Sequence, residues 1–322
     1  MIREFSVVLY KKKSLSVMSK IVVAGSSNID MTAYVKSLPR PGETIGDGRF
    51  LQANGGKGAN QAVSAARLGG DVAFLTCVGD DMQGRMLQKV FASDGIHTEF
   101  MKYSATSPTG TALIFVADDG ENCIAVAPGA NQELLPADID SAEKAFADAS
   151  WLLMQLEIPL QTVYHAVDVA YKKGIKVVLN PAPISDVIPS EVLRKLWLIT
   201  PNETEAEKLT GIKIGSVNDA FKASEFLLSQ GVQNVIVTLG SAGSVICNAS
   251  MREFVPARQV VAVDTVGAGD VYNGALVTAL SEGKSLPEAA RFATIASSIA
   301  VTRPGAQTGV PHRPEVDALL NQ

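Results

Sequence analysis

The sequence predicts an α/β fold: a central, mostly parallel β-sheet flanked by helices, with a small β-sheet projecting from it. Three observations carry that prediction. From residue 20 onward, short apolar runs alternate with helical, often alanine-rich stretches. The runs are apolar throughout instead of at every second position, as strands covered on both faces must be. Two stretches, 31–54 and 107–127, break this rhythm with polar–apolar alternation and turn residues.

Taken in order, residues 20–25 (KIVVAG) read as a buried strand closed by glycine. Residues 31–54 hold Pro39, Pro41 and Gly42, have no helical period, and read as a hairpin. An alanine-rich helix is expected over 59–68, stopped by Gly69 and Gly70, then a strand over 72–78 and a helix over 84–93. Residues 109–116 and 122–126, joined through Asp119 and Gly120, make a second hairpin. The two hairpins are expected to pair into one small sheet, which reads as a lid over a site or as a plain edge extension of the main sheet. Strands follow at 151–155, 176–180, 198–200 and 235–239, with helices at 160–173, 203–209 and 220–230 between them. A last strand-like run, 258–263, leads into a glycine-rich segment and another alanine-rich helix.

Composition narrows the function. The chain has 322 residues, 47% of them hydrophobic, enough for a large core. A net charge of -5 provides no broad basic field for nucleic acid or an anionic membrane. Cys77, Cys123 and Cys247 stand far apart without a CxxC pair, which points to a reducing, cytoplasmic setting and away from disulfides or a zinc site. Residues 5–10 are apolar but precede Lys11, Lys12 and Lys13, the reverse of a secretory signal. Residues 1–19 therefore read as a disordered extension ahead of one domain, 20–322, and no apolar run approaches the ~20 residues of a membrane span.

The strongest chemical signal is VDTVGAGDVYNG, residues 263–274. Gly267 and Gly269 let the backbone approach an anion, and a helix start adds unpaired N–H groups and the positive end of its dipole. Asp270 falls at that helix start, placed to take a proton from a hydroxyl. An isolated GxGD is more often an aspartate capping a glycine turn; the full string is more specific. Asn28 and Asp30 stand two apart on one extended segment, so they present an amide and a carboxylate to one side. Lys57 sits in a GGKG turn, but the spacing and the Ser or Thr of a P-loop are missing. A dinucleotide-binding G-x-G-x-x-G after the first strand is also missing; Gly25-Ser-Ser-Asn-Ile-Asp stands there instead.

The string DTVGAGD, together with Gly55-Gly56-Lys57-Gly58-Ala59-Asn60-Gln61-Ala62, resembles the two signatures of the ribokinase-like, or phosphofructokinase-B, carbohydrate kinases. The resemblance runs from about residue 20 to about residue 311. GSSNID, LLMQLE, LNPAP, TPNETEAEKLTG and AVTRPGAQ have their nearest counterparts in members acting on ribose. It implies a Rossmann-like core with a lid, and ATP-dependent phosphorylation of D-ribose at its 5-hydroxyl. Sibling kinases of deoxyribose or another small sugar fit the same residues.

The resemblance also implies roles. Asp270 is the general base, with an anion hole from Gly267, Ala268, Gly269 and Asp270. Asn28, Asp30, Gly55, Gly56, Lys57, Asn60 and Glu157 hold the sugar. Asn202, Thr238, Gly240, Ser241, Gly243 and Gly269 hold ATP. Glu205 orders the water shell of magnesium, an ion that keeps most of its waters. Asp264, by its carboxylate, and Val266, Ala300, Arg303 and Gly305, by their carbonyls, coordinate potassium. The sequence departs at Gly309, where relatives commonly carry serine, which leaves that last ligand open. A lid sheet with an open edge and face further predicts a homodimer joined lid to lid.

Overall fold

The computed structural model of the chain describes residues 20–320; the extension expected over residues 1–19 lies outside the described residues. Among the described residues, thirteen strands fall into two sheets. They are β1 (Lys20–Ala24), β2 (Asn28–Val35), β3 (Arg49–Gly55), β4 (Val72–Gly79), β5 (Met101–Ser104), β6 (Gly110–Ala117), β7 (Asn122–Ala127), β8 (Ala149–Met154), β9 (Lys176–Leu179), β10 (Leu198–Ile199), β11 (Asn234–Thr238), β12 (Gly243–Asn248) and β13 (Met251–Pro256).

The main sheet has nine strands in the order β13-β12-β11-β10-β9-β8-β1-β4-β5. It is parallel from β11 to β5. Each central strand is buried on both faces, so its residues alternate between two cores. Ile21 and Val23 pack with the helices Lys57–Arg67, Ala268–Ser281 and Leu286–Ala300. Val22 and Ala24 pack with Leu160–Lys172 and Val217–Ser229 on the other side. The chain runs outward from β1 through β4 to β5, then returns to β8 on the opposite flank of β1. That reversal opens a crevice at the carboxyl ends of β1 and β8, where open α/β sheets bind ligands.

The second sheet has four strands in the order β3-β2-β6-β7, so the two expected hairpins do pair into one sheet. The join is a parallel β2–β6 ladder with Asn28 opposite Gly110 and Asp30 opposite Ala112. Leu51, Leu113, Phe115, Ile124 and Val126 are exposed on it.

One expected element is corrected. Residues 258–263 are not a strand but an irregular connection, with Val261 and Val263 exposed. The β-branched valines suit extended backbone, yet no neighbouring strand pairs with them. The last strand before the glycine-rich segment is β13, which forms with β12 an antiparallel hairpin on β11 that was not anticipated. Gly243, one of the residues expected at ATP, begins β12.

Candidate active site

The residues expected at the sugar come to the crevice from the segment leaving β1 and from the small sheet that begins there. Asn28 and Asp30 share one face of β2. Asn131 locks Asn28 in place: its Nδ2 donates to Asn28 Oδ1 at 2.7 Å, and its Oδ1 accepts the Ser27 N–H at 2.9 Å. Asp30 lies across Gly55, where a Cβ would come within 2.2 Å of Oδ2, so only glycine leaves room. Burial, with help from Glu157 and Asp270, raises the Asp30 pKa to about 6, although Lys57 opposes the shift.

The helix Lys57–Arg67 begins at Gly56 with no side-chain cap of its own. Glu157, beyond β8, supplies one, accepting the Lys57 N–H at 3.0 Å and the Ser26 hydroxyl at 2.6 Å through Oε2. Burial opposes the Lys57 charge, but Asp270, Glu157, Glu205 and Asp30 outweigh it and raise the ammonium pKa. Three residues on, Asn60 donates through Nδ2 to Asp270 Oδ2 at 3.0 Å, while its Oδ1 accepts from Gln307 Nε2 at 3.1 Å.

Asp270 is 6% exposed in the first turn of Ala268–Ser281. Burial raises its pKa; Lys57, Asn60 and Gln61 pull the other way and Glu157 adds to the rise. A carboxylate whose proton affinity is raised in this way is a better proton acceptor than a free one. Gly267 caps this helix in the left-handed region at φ 75°, and a Cβ there would stand 2.9 Å from that of Ala306. The Ala268 N–H is engaged by Thr265 O at 3.2 Å. Those of Gly269 and Asp270 have no carbonyl to meet inside the helix, which leaves them open to an anion.

On the far side of Asp270 lies a cavity of about 400 Å³. Asn202, Thr238, Gly240, Ser241, Gly243 and Gly269, the residues expected at ATP, all line it. Asn202 and Glu205 form a capping box: each accepts the other's backbone N–H at 2.9 Å. This box uses Oε2 of Glu205 and leaves Oε1 uncommitted. Burial raises the Glu205 pKa, against its hydrogen bond from Asn202 and the charge of Lys57. The opposite wall, with Val260, Ala262, Tyr272, Thr294 and Ser298, was not anticipated from the sequence.

The expected monovalent-cation residues also converge. Asp264 accepts the Val266 N–H at 2.9 Å and the Gly305 N–H at 2.8 Å, tying the two loops together. A Cβ on Gly309 would stand 3.1 Å from the Ala300 carbonyl oxygen and 3.6 Å from that of Arg303. A cradle of carbonyls and one carboxylate suits a hard cation.

Several site residues had no assigned role in the sequence reading: Gln61, Asn131, Gln155, Asn180, Thr200, Asn273 and Gln307. All are buried and hydrogen-bonded. The available signal was a polar side chain at a position its helix or strand should bury, as Gln61 is within an alanine-rich helix.

Comparison with known proteins follows the geometry. Residues 18–313 match the family model described as pfkB family carbohydrate kinase. A ribokinase of Haemophilus influenzae is 43% identical over 300 residues, 93% of this chain and 98% of that protein. A deoxyribokinase of Salmonella typhi is 37% identical over 301 residues, 94% of this chain and 98% of that protein. The structure of Arabidopsis thaliana ribokinase complexed with ribose and ATP superposes with a TM-score of 0.89 at 32% identity, covering 95% of this chain and 100% of that one.

Proposed function

This chain belongs to the pfkB family of carbohydrate kinases, and on that premise we propose that it transfers the γ-phosphate of ATP to the 5-hydroxyl of D-ribose. The products are ribose 5-phosphate and ADP. The observation that carries the reading is the position of Asp270: a buried carboxylate at a helix start, with the sugar-side residues before it and the cavity lined by Asn202, Thr238 and Gly269 behind it. The ribokinase relatives add the substrate.

Asn28 and Asp30 on β2, with Asn60 and Glu157, grip the sugar hydroxyls, and the apolar face of the small sheet covers the ring. Asp270 takes the proton of the attacking hydroxyl as it closes on phosphorus. The N–H groups of Gly269 and Asp270, at the positive end of the helix dipole, and the Lys57 ammonium meet the negative charge on the transferring phosphoryl group. Positioning and electrostatics do most of the catalysis in such transfers. Magnesium bound with the nucleotide supplies charge neutralisation of the phosphates; Glu205 would hold its water shell through the free Oε1. Asp264 and the carbonyls of Val266, Ala300, Arg303 and Gly305 would hold potassium behind the anion position.

The exposed apolar residues of the small sheet support a homodimer formed lid to lid, and the overall reading is of an enzyme at work in the cytoplasm. Among the described residues no helix is long and apolar enough to cross a membrane. A coupled assay of ADP release across ribose, deoxyribose, fructose and nucleosides tests the proposal. Ribose is expected to give the highest kcat/KM; a hexose or nucleoside in that place overturns it, and deoxyribose transfers it to the sibling activity.

A further inference from the structure

The Asp270 carboxylate is held by a second amide besides Asn60. Gln61 Nε2 donates to Asp270 Oδ1 at 3.0 Å and to Asn180 Oδ1 at 3.0 Å, while Gln61 Oε1 accepts from Gln155 Nε2 at 2.6 Å. Both N–H groups of Gln61 are thus spent and its oxygen points away from the carboxylate. This orientation is forced, because the reverse would press a carbonyl oxygen against Asp270. The connection continues. Asn180 Nδ2 donates to Thr200 O at 3.1 Å, the Thr200 hydroxyl to Asn273 Oδ1 at 2.6 Å, and Asn273 Nδ2 to Gly269 O at 2.8 Å. Gly269 precedes Asp270, so the circuit closes on the residue where it began. Gln61, Asn180, Thr200 and Asn273 are each at most 7% exposed, so water cannot stand in for a lost partner.

We propose that Gln61 is a positioning residue for the phosphoryl-transfer base, aiming Oδ2 of Asp270 at the acceptor hydroxyl by holding Oδ1 in a closed circuit of buried amides. The proposal rests on the kinase reading and deepens it. The circuit passes through Thr200, two residues before Asn202 at the nucleotide cavity, and through Gln61, one residue after Asn60 on the sugar side. It therefore fixes the base relative to both substrates. Asn60 alone would leave the carboxyl plane free to rotate about its single hydrogen bond; the second donor removes that freedom.

The charged groups facing Asp270 are Lys57 from the same helix as Gln61, Asp30 from β2, Glu157 beyond β8 and Glu205 from the helix Glu203–Thr210. Asp30 also has a raised pKa and belongs to the proposed sugar site, so the test reads kcat at saturating sugar. In Gln61→Met the carboxylate loses a donor. The acid limb of kcat is expected to move up by about one pH unit and kcat at neutral pH to fall about tenfold to a hundredfold, with KM for ATP within about threefold of wild type. Gln61→Glu has the same shape and keeps the acceptor for Gln155; it is expected to move the limb at least as far and serves if the Met variant does not accumulate. Gln155→Met removes a partner of Gln61 but none of Asp270, and should leave the limb in place.

An unmoved limb in both Gln61 variants, or an equal movement in Gln155→Met, overturns the proposal. A wild-type protein that releases no ADP with any sugar sinks the kinase reading instead. The role of Gln61 is then read directly from the carboxyl carbon-13 titration of Asp270, which must shift upward in Gln61→Glu; no shift overturns it.

Discussion

Replacing Asp30 with asparagine should make the empty protein more stable while removing its grip on sugar. The carboxylate of Asp30 accepts no hydrogen bond from the described residues, sits half-buried across Gly55, and faces the like charges of Glu157 and Asp270. Its pKa rises from 3.8 to about 6 in the folded state. A raised carboxylate pKa means that the folded protein binds the proton more tightly than the unfolded chain. Keeping the group ionised therefore works against folding above about pH 6, and the penalty fades as pH falls from 6 towards 4. A two-unit shift corresponds to at most about 3 kcal/mol, and partial solvent contact reduces this to about 1–2 kcal/mol. In a chain of this size that is about 2–6 °C in Tm.

Asp30→Asn is isosteric and removes the charge without opening a cavity. Differential scanning calorimetry without ligands at pH 8 should find the variant more stable by that margin, and the gap should close by about pH 4. The same change deletes a charged acceptor for sugar hydroxyls, worth about 1.5–3 kcal/mol per hydrogen bond, so KM for ribose should rise about 10- to 100-fold or more. A variant that melts at or below wild type at pH 8, with a gap independent of pH, would refute the argument. So would unchanged sugar binding.

Three further outcomes are expected. Asp270→Asn should lower kcat by about 10²–10⁴-fold while nucleotide affinity, followed by calorimetric titration, stays within about threefold; near wild-type turnover would remove Asp270 as the base. Gly267→Ala places a Cβ in a left-handed residue 2.9 Å from the Ala306 Cβ, and should destabilise the fold by about 2–3 kcal/mol in urea unfolding, with loss of activity. Gly309→Ser returns a hydroxyl beside the Ala300 and Arg303 carbonyls, and should lower the potassium concentration needed for thermal stabilisation by about threefold to tenfold; an unchanged potassium response would detach position 309 from the cation site.

Most of the fold was legible because it depends on local pattern. The continuous apolar runs of β1, β4, β8 and β11 can be satisfied only by a sheet covered on both faces, and alternating residues 109–116 only by a strand with two environments. The connection at 258–263 misled because β-branched residues favour extended backbone whether or not a partner strand exists; pairing is a property of the tertiary fold. The β12–β13 hairpin was not anticipated, because Gly240 and Gly243 are turn-forming residues that mask the strand beginning at Gly243. Site residues with a strong local signature, such as Asp270 beside two glycines or Asn202 three before Glu205, could be found in the sequence. Gln61 could not: its partner Asp270 lies 209 residues away, and a single glutamine in an alanine-rich helix carries no trace of that contact.

The charge balance of the crevice supports the proposal that cations accompany its nucleotide. Four carboxylates, Asp30, Glu157, Glu205 and Asp270, act on the single ammonium of Lys57. Burial, and behind it the repulsion among these carboxylates, raises the pKa values of Asp30, Glu205 and Asp270. ATP brings three to four more negative charges into the same crevice. Among the residues lining the nucleotide cavity only Arg258 is a permanent cation, and the start of the helix Ala268–Ser281 contributes about half a charge. Neither offsets the sum. A divalent ion on the phosphates and a monovalent ion at Asp264 would together offset three of these negative charges. On this reading ATP affinity without the cations, measured by calorimetric titration, should fall about 100-fold or more. Equal affinity with and without magnesium would mean that other positive groups hold the phosphates.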